Sequence, residues 1–367
     1  MKMKFFFLIL FLLFAEFTGG QDRILIPQIE YSPEKYICYR ASNPIQIDGI
    51  IDEKDWLAAD WTKNFVDIEG LLKPLPYFET RVKMLWDSNY FYFAAELEEH
   101  QLWATLKNRD DIIFYDNDFE IFIDPDADTH NYYELELNAF NTVWDLLIVK
   151  PYRDGGPAVH NWDINGLLTA VKTYGTLNLT TDRDTGWTIE VGIPWSVLKE
   201  CSRVNCPPLN GDQWKVNFSR VEWETEVVDN NYSKRKDPVT SKILPENNWV
   251  WSPQGLVNMH YPEMWGLVQF TDLTAGSKES NFIHSFVDEA RYFLRNVYYR
   301  QKEYFIKNKK YASRLSDLGL LPANIPGFVS EPTIQITKNL FEARLYFRNS
   351  DEYLVICSDG LIISDSK

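Results

Sequence analysis

From Ile45 to Phe270, apolar and polar residues alternate with a period of two in short runs broken by Asp, Asn, Gly and Pro turns. Residues two apart share one face of a strand, so these runs predict half-buried strands. In RVKMLWDSNYFYFAAELEE, Ser88 and Asn89 separate two strands, and Phe91, Phe93, Ala95 and Leu97 share a face, which predicts a hairpin with one buried side. WTIEVGIPW groups Trp187, Ile189, Val191 and Ile193 in the same way, and WKVNFSRVEW groups Trp214, Val216 and Phe218. Such strands at short spacing predict a mainly β fold, an antiparallel two-sheet β-sandwich.

The alternation fades in TDLTAGSKES and the period then changes. Phe282, Phe286, Ala290, Phe293, Val297, Tyr304 and Phe305 recur at helical spacing between Asn281 and Lys310, which predicts a long amphipathic helix. TIQIT, ARLYF and YLVICS follow as strand-like runs, so an appended C-terminal α+β unit with a small antiparallel sheet is expected. At the other end, MKMKFFFLILFLLFAEFTGGQD has the layout of an export signal: lysines, an apolar run, then small residues. The expected organisation is a signal peptide at 1–20, a sandwich at 21–273, a linker at 274–280 and the helix-plus-sheet appendage at 281–367. No other stretch approaches the roughly 20 apolar residues of a spanning helix. The chain is therefore expected to be exported, periplasmic or extracellular, with no membrane partner once the signal is cleaved.

Charge narrows the partners. Losing residues 1–20 removes Lys2, Lys4 and Glu16 and takes the net charge from −16 to −17, which argues against nucleic acid and anionic membrane. The 13 Trp and 20 Tyr fit a sandwich core, and they also fit stacking on the apolar faces of sugar rings. Of the four cysteines, Cys201 and Cys206 in CSRVNCPP are close enough for a local disulfide, while pairing of Cys38 with Cys357 stays open.

The chemistry gathers in DNDFEIFIDPDADTHNYYELELN, residues 116–138. In a strand Asp116, Asp118 and Glu120 share one face and Phe119, Ile121 and Ile123 the other; Glu134, Glu136 and Asn138 repeat the arrangement. Paired as a hairpin, the two runs make one acidic patch. It reads as a solvated face, as a saccharide-binding face, or as the paired carboxylates of a glycoside hydrolase, which stand at similar separations. Nothing distinguishes an acid from a base, so catalysis ranks below the other two and no catalytic residue is assigned. The intervening loop carries Asp124, Asp126 and Asp128 at alternate positions, like the first ligands of a calcium loop. Thr129 and Leu135 occupy the places where an EF-hand needs glycine and glutamate, which leaves a structural Ca2+ or a plain polar turn.

The order IQIDGIIDEKDW, TRVKMLWDSNYFYFAAEL, DNDFEIFIDPDADTHNYYELELNAF, GWTIEVGIPW and WSPQGLVNMHYPEMWGLVQF resembles carbohydrate-binding module family 9 over about residues 41–271. The resemblance implies a noncatalytic β-sandwich that binds plant-polysaccharide sugars, often at chain ends, carries structural calcium and accompanies glycoside hydrolases. It places the family's sugar-contacting acid on Glu120 and its asparagine on Asn138. The family's arginine falls on Glu136, and its two sandwiching tryptophans fall near Phe114 and Met259. The candidate polysaccharide or oligosaccharide site is therefore Glu120, Glu134, Asn138 and Arg220 as hydrogen-bonding groups, with Tyr115, Trp249 and Trp251 as platforms. The C-terminal unit resembles, more loosely, a type IV pilin-like head without its hydrophobic half-helix. That implies a docking module for a glycoside hydrolase or another exported protein, with a structural or assembly role as the rival.

Overall fold

Nine consecutive residue pairs join Gly186–Pro194 to Tyr90–Glu98 in antiparallel register, and these two strands form the middle of one layer. Thr80–Trp86 and Leu168–Tyr174 flank them. The facing layer runs Ala158–Val159, Val143–Ile148, Tyr132–Asn138, Asp118–Asp124, Gln213–Glu222, Gly266–Thr274, with Asn247–Val250 also paired to Gln213–Glu222. The inner faces meet as the alternation requires. Phe91, Phe93, Ile189 and Val191 of one layer pack on Phe119, Ile121, Val216 and Phe218 of the other, all at most 1 % exposed, and each such side chain contributes about 1.5–3 kcal/mol by leaving water. This computed structural model describes residues 25–366; the expected signal peptide lies outside the described residues.

The sandwich is the predicted one, with one feature that alternation does not reveal. Lys35–Arg40 pairs in parallel with Gly266–Thr274 and, at its far end, with Thr80–Trp86, so it joins the two layers into one continuous ladder. A parallel seam has the same apolar period as an antiparallel one.

The C-terminal helix spans Phe286–Asn308, and Ser285 caps it by accepting the Asp288 N–H. It starts later than its periodicity suggests because residues 281–283 are hydrogen-bonded to the sandwich. There Gln269 Nε2 donates to the Asn281 carbonyl, Ile283 N–H donates to Gln269 Oε1, and Gln213 Nε2 donates to the Ile283 carbonyl. Four antiparallel strands, Thr333–Ile336, Phe341–Tyr346, Glu352–Cys357 and Ile362–Ser366, complete the unit. Its core runs on into the sandwich: Leu256, Tyr261 and Met264 pack with Leu294, Val297 and Tyr298 of the helix, and Tyr31 stacks on Tyr292 at 3.8 Å. Among the described residues no helix is long and apolar enough to cross a membrane.

The expected Cys201–Cys206 bridge is absent. All four cysteines are free thiols; the Cys206 thiol turns to the Trp195 carbonyl at 3.3 Å and Cys201 N–H donates to the Tyr133 hydroxyl. Cys38 lies in the sandwich core and Cys357 in the C-terminal sheet.

Candidate functional site

Pairing of Asp118–Asp124 with Tyr132–Asn138 sets Asp118 opposite Asn138, Glu120 opposite Glu136 and Phe122 opposite Glu134. The next strand sets Trp144 opposite Glu136 and Leu146 opposite Glu134. With Phe119 and Ile121 committed to the core, the acids face outward, but not onto a flat wet surface. Phe114, Trp144, Tyr152, Val221, Asn248 and the 257–260 segment rise around them and enclose a cavity of about 420 Å3 whose acids are Glu120, Glu134, Glu136 and Glu246. That size and mixture are those of a small-ligand pocket.

Glu120 and Glu134 are 5 % exposed and Asp118 is fully buried. Carboxylate oxygens of Asp118, Glu120 and Glu136 lie within 4.8 Å of one another. Glu136 Oε2 accepts the Phe114 N–H and Asp118 Oδ1 accepts that of Val221, whereas Asp118 Oδ2 and Glu134 Oε2 are buried without a partner. Burial pushes the Glu120 carboxyl up to about 7. Burial and the neighbouring carboxylates hold Asp118, Glu134 and Glu136 well above the usual range.

These shifts have a sign. A carboxyl raised in the folded state binds more protons than its unfolded counterpart, so the stability it contributes is full below the unfolded pKa and is lost as pH rises through the folded one. His130, lowered to about 4, and His260, lowered to about 3, both by burial, oppose this below their ordinary pKa of 6.5. Above that value the acids act alone. In chelator, urea denaturation should show stability falling between about pH 6.5 and 8, by roughly 1 kcal/mol for each carboxyl held near 7, as Glu120 and Asp128 are.

The structure separates the remaining sequence-derived candidates. Asn138 is fully buried and its amide serves the fold: Nδ2 donates to the Leu106 carbonyl and Asp116, and Oδ1 accepts the N–H groups of Phe140 and Thr142. Arg220 lies opposite Phe119 and therefore points into the sandwich, where it donates to Glu99, Glu222 and Thr80 between the rings of Phe78 and Trp249. Trp249 and Trp251, each 2 % exposed, face the same way and are core rather than platforms. Tyr115 is 52 % exposed beside Phe114, outside the cavity lining. The aromatic walls are instead Phe114, Trp144 and Tyr152. Trp144 could have been found by carrying the alternation one strand further. Tyr152 arrives on a single 3-10 turn, Tyr152–Asp154, and Asn258 on a loop, and neither leaves a periodic signal.

A second acidic group lies at the hairpin turn. Asp124, Asp126 and Asp128 are buried and present oxygens within 4.8 Å of one another. Two oxygens bound to one calcium at about 2.4 Å can stand at most about 4.8 Å apart, so the three fit a shared ion. Thr129 N–H donates to Asp124 Oδ2, Arg203 N–H to Asp126 and His130 N–H to Asp128, and Asp124 Oδ1 is buried without a partner. Left-handed Ala127 (φ 55°) and Thr129 (φ 72°) wrap the loop around them. Burial and mutual repulsion raise Asp124 well above its usual range and Asp128 to about 7. The C-terminal unit rests on this loop, with Ile362 N–H on the Asp128 carbonyl and Arg295 donating to Thr129 Oγ1.

Residues 47–250 match the family described as carbohydrate family 9 binding domain-like. No curated protein matches the chain. Among solved structures, a protein of Bacteroides uniformis ATCC 8492 aligns over 65 % of this chain and 100 % of its own, at 16 % identity and a TM-score of 0.47. A family 9 carbohydrate-binding module of Caldicellulosiruptor kristjanssonii in complex with cellotriose aligns over 69 % of this chain and 100 % of its own, at 15 % identity and a TM-score of 0.41. Its complex with glucose aligns over 68 % and 100 %, at 16 % identity and a TM-score of 0.41.

Proposed function

The chain belongs to the carbohydrate family 9 binding domain-like family, and from that premise we propose that it is an exported, noncatalytic carbohydrate-binding protein that recognises polysaccharide, working alongside glycoside hydrolases. One observation carries the reading. Phe114, Glu120 and Glu136 from one stretch of the chain and the distant Met259 line one cavity together with Trp144 and Tyr152. Carboxylates accept hydrogen bonds from sugar hydroxyls, and aromatic rings cover a sugar's C–H faces. A glycan array with the full chain, with and without calcium, tests this: binding to a defined saccharide class is expected, and a blank array contradicts it.

Asp124, Asp126 and Asp128 hold a structural Ca2+ in this reading. The ion supplies positive charge to carboxylates that otherwise repel one another, and it stiffens the seat of the C-terminal unit. At a calcium concentration about 100 times its Kd, chelation removes about 2.7 kcal/mol. A thermal melt should then drop by about 3–4 °C with chelator; an unchanged midpoint contradicts the ion.

The oxygen separations within Asp118, Glu120 and Glu136, under 4.8 Å, also approach the roughly 5 Å of a retaining glycosidase pair, which keeps hydrolysis as a second reading. Release of reducing sugar that falls by orders of magnitude in Glu120→Gln supports it; none is expected.

A further inference from the structure

Resting on the reading of this cavity as a saccharide site, we propose that it selects sugars bearing a protonated amine, such as a hexosamine unit with a free 2-ammonium, with Glu120, Glu134 and Glu136 as counter-ions. The lining contains four glutamates and neither lysine nor arginine. With a neutral sugar these carboxyls stay in the protonated state that burial and mutual repulsion favour, whereas an ammonium among them lets them ionise and serve as its counter-ions. Two carboxylate oxygens are already short of partners, Glu134 Oε2 in the lining and Asp118 Oδ2 outside it, on a residue grouped with Glu120 and Glu136; both residues are at least nine-tenths buried. Three hydrogens on one ammonium nitrogen match several convergent acceptors, and Glu120 and Glu136, directly opposite each other, offer oxygens close enough to share it.

The walls decide between an organic cation and a metal ion. Beside the carboxylates stand Phe114, Trp144 and Tyr152. Aromatic faces with neighbouring carboxylates suit an ammonium carried on a carbon skeleton, because the ring quadrupole attracts the cation while the ring covers the sugar's C–H groups. A hydrated divalent ion gains nothing from such walls, and the cavity, at about 420 Å3, is far larger than an ion requires.

Calorimetric titration of the full chain at pH 7 with glucosamine, N-acetylglucosamine and glucose tests the proposal. Glucosamine is expected to bind at least about tenfold more tightly than the other two. Glu136→Gln should reduce that ratio to near one. Glu134→Gln, whose carboxylate makes no hydrogen bond to the backbone, should do the same and serves if loss of the Phe114 contact disturbs folding. Glucose or N-acetylglucosamine binding as well as glucosamine overturns the amine preference and leaves saccharide binding intact. No sugar binding here or on the array overturns both. Loss of a calcium-binding event in Glu136→Gln, with no amine preference in the wild type, overturns the proposal in favour of a metal site.

Discussion

Replacing Glu263 with alanine lowers the unfolding free energy by about 3–5 kcal/mol, the cost of stranding buried charge. Glu263 is 7 % exposed and sits where the sandwich meets the C-terminal helix. Arg153 Nη2 donates to it at 2.9 Å, the Tyr299 hydroxyl donates to its Oε1, and Arg295 Nε lies 3.7 Å away. Burial pushes its carboxyl up, yet Arg153 and Arg295 outweigh burial and hold it below the ordinary range. Removing it leaves two enclosed guanidinium groups, those of Arg153 and Arg295, without their shared anion. Because Tyr298, Asp154, Asp288 and Lys215 continue the polar seam, the loss should fall first on docking of residues 281–367. Urea denaturation measures the total. Hydrogen exchange of the helix amides, Phe286–Asn308, should rise before that of the sandwich strands. A change below 1 kcal/mol with uniform exchange contradicts a charged seam.

Glu120→Gln is expected to separate binding from folding. The substitution removes an acceptor for sugar hydroxyls, a charged hydrogen bond of about 1.5–3 kcal/mol, and so weakens saccharide binding about 10- to 150-fold. It also removes one of several mutually repelling, buried carboxyls, and burial already holds Glu120 at about 7. Stability at pH 8 should therefore stay constant or rise, and its decline with pH should become shallower. Binding measured by titration and melting followed in parallel would show the two moving in different directions. Loss of both together would make Glu120 a folding residue.

Much of this was legible in the residues. Period two assigned Glu120, Glu134 and Glu136 to one face and Phe119 and Ile121 to the other, and the hairpin register follows from that division. What alternation cannot supply is the side on which a distant strand enters. Arg220, Trp249 and Trp251 alternate as well as the acids do, but Arg220 pairs with Phe119 and not with Glu120, and that single step turns all three inward. The helix was legible as a helix, but its packed face was not. Arg295, Tyr298, Tyr299 and Gln301 are buried on it, and polar residues become interior only when partners outside the helix are brought to them, Glu263 from 36 positions away and Asp154 from 144. The acids posed the same difficulty, since the aromatic residues that enclose them come from three separate segments: Phe114, Trp144 and Tyr152.

The central claim is that saccharide docks in the cavity over Glu120 and Glu136. Hydrogen exchange of the full chain with and without the array's strongest ligand tests it most directly. Slowed exchange at Phe114, Val221 and residues 257–260 is the result expected. Protection confined to the C-terminal unit or to the exposed 71–77 loop, with these amides unchanged, would contradict it.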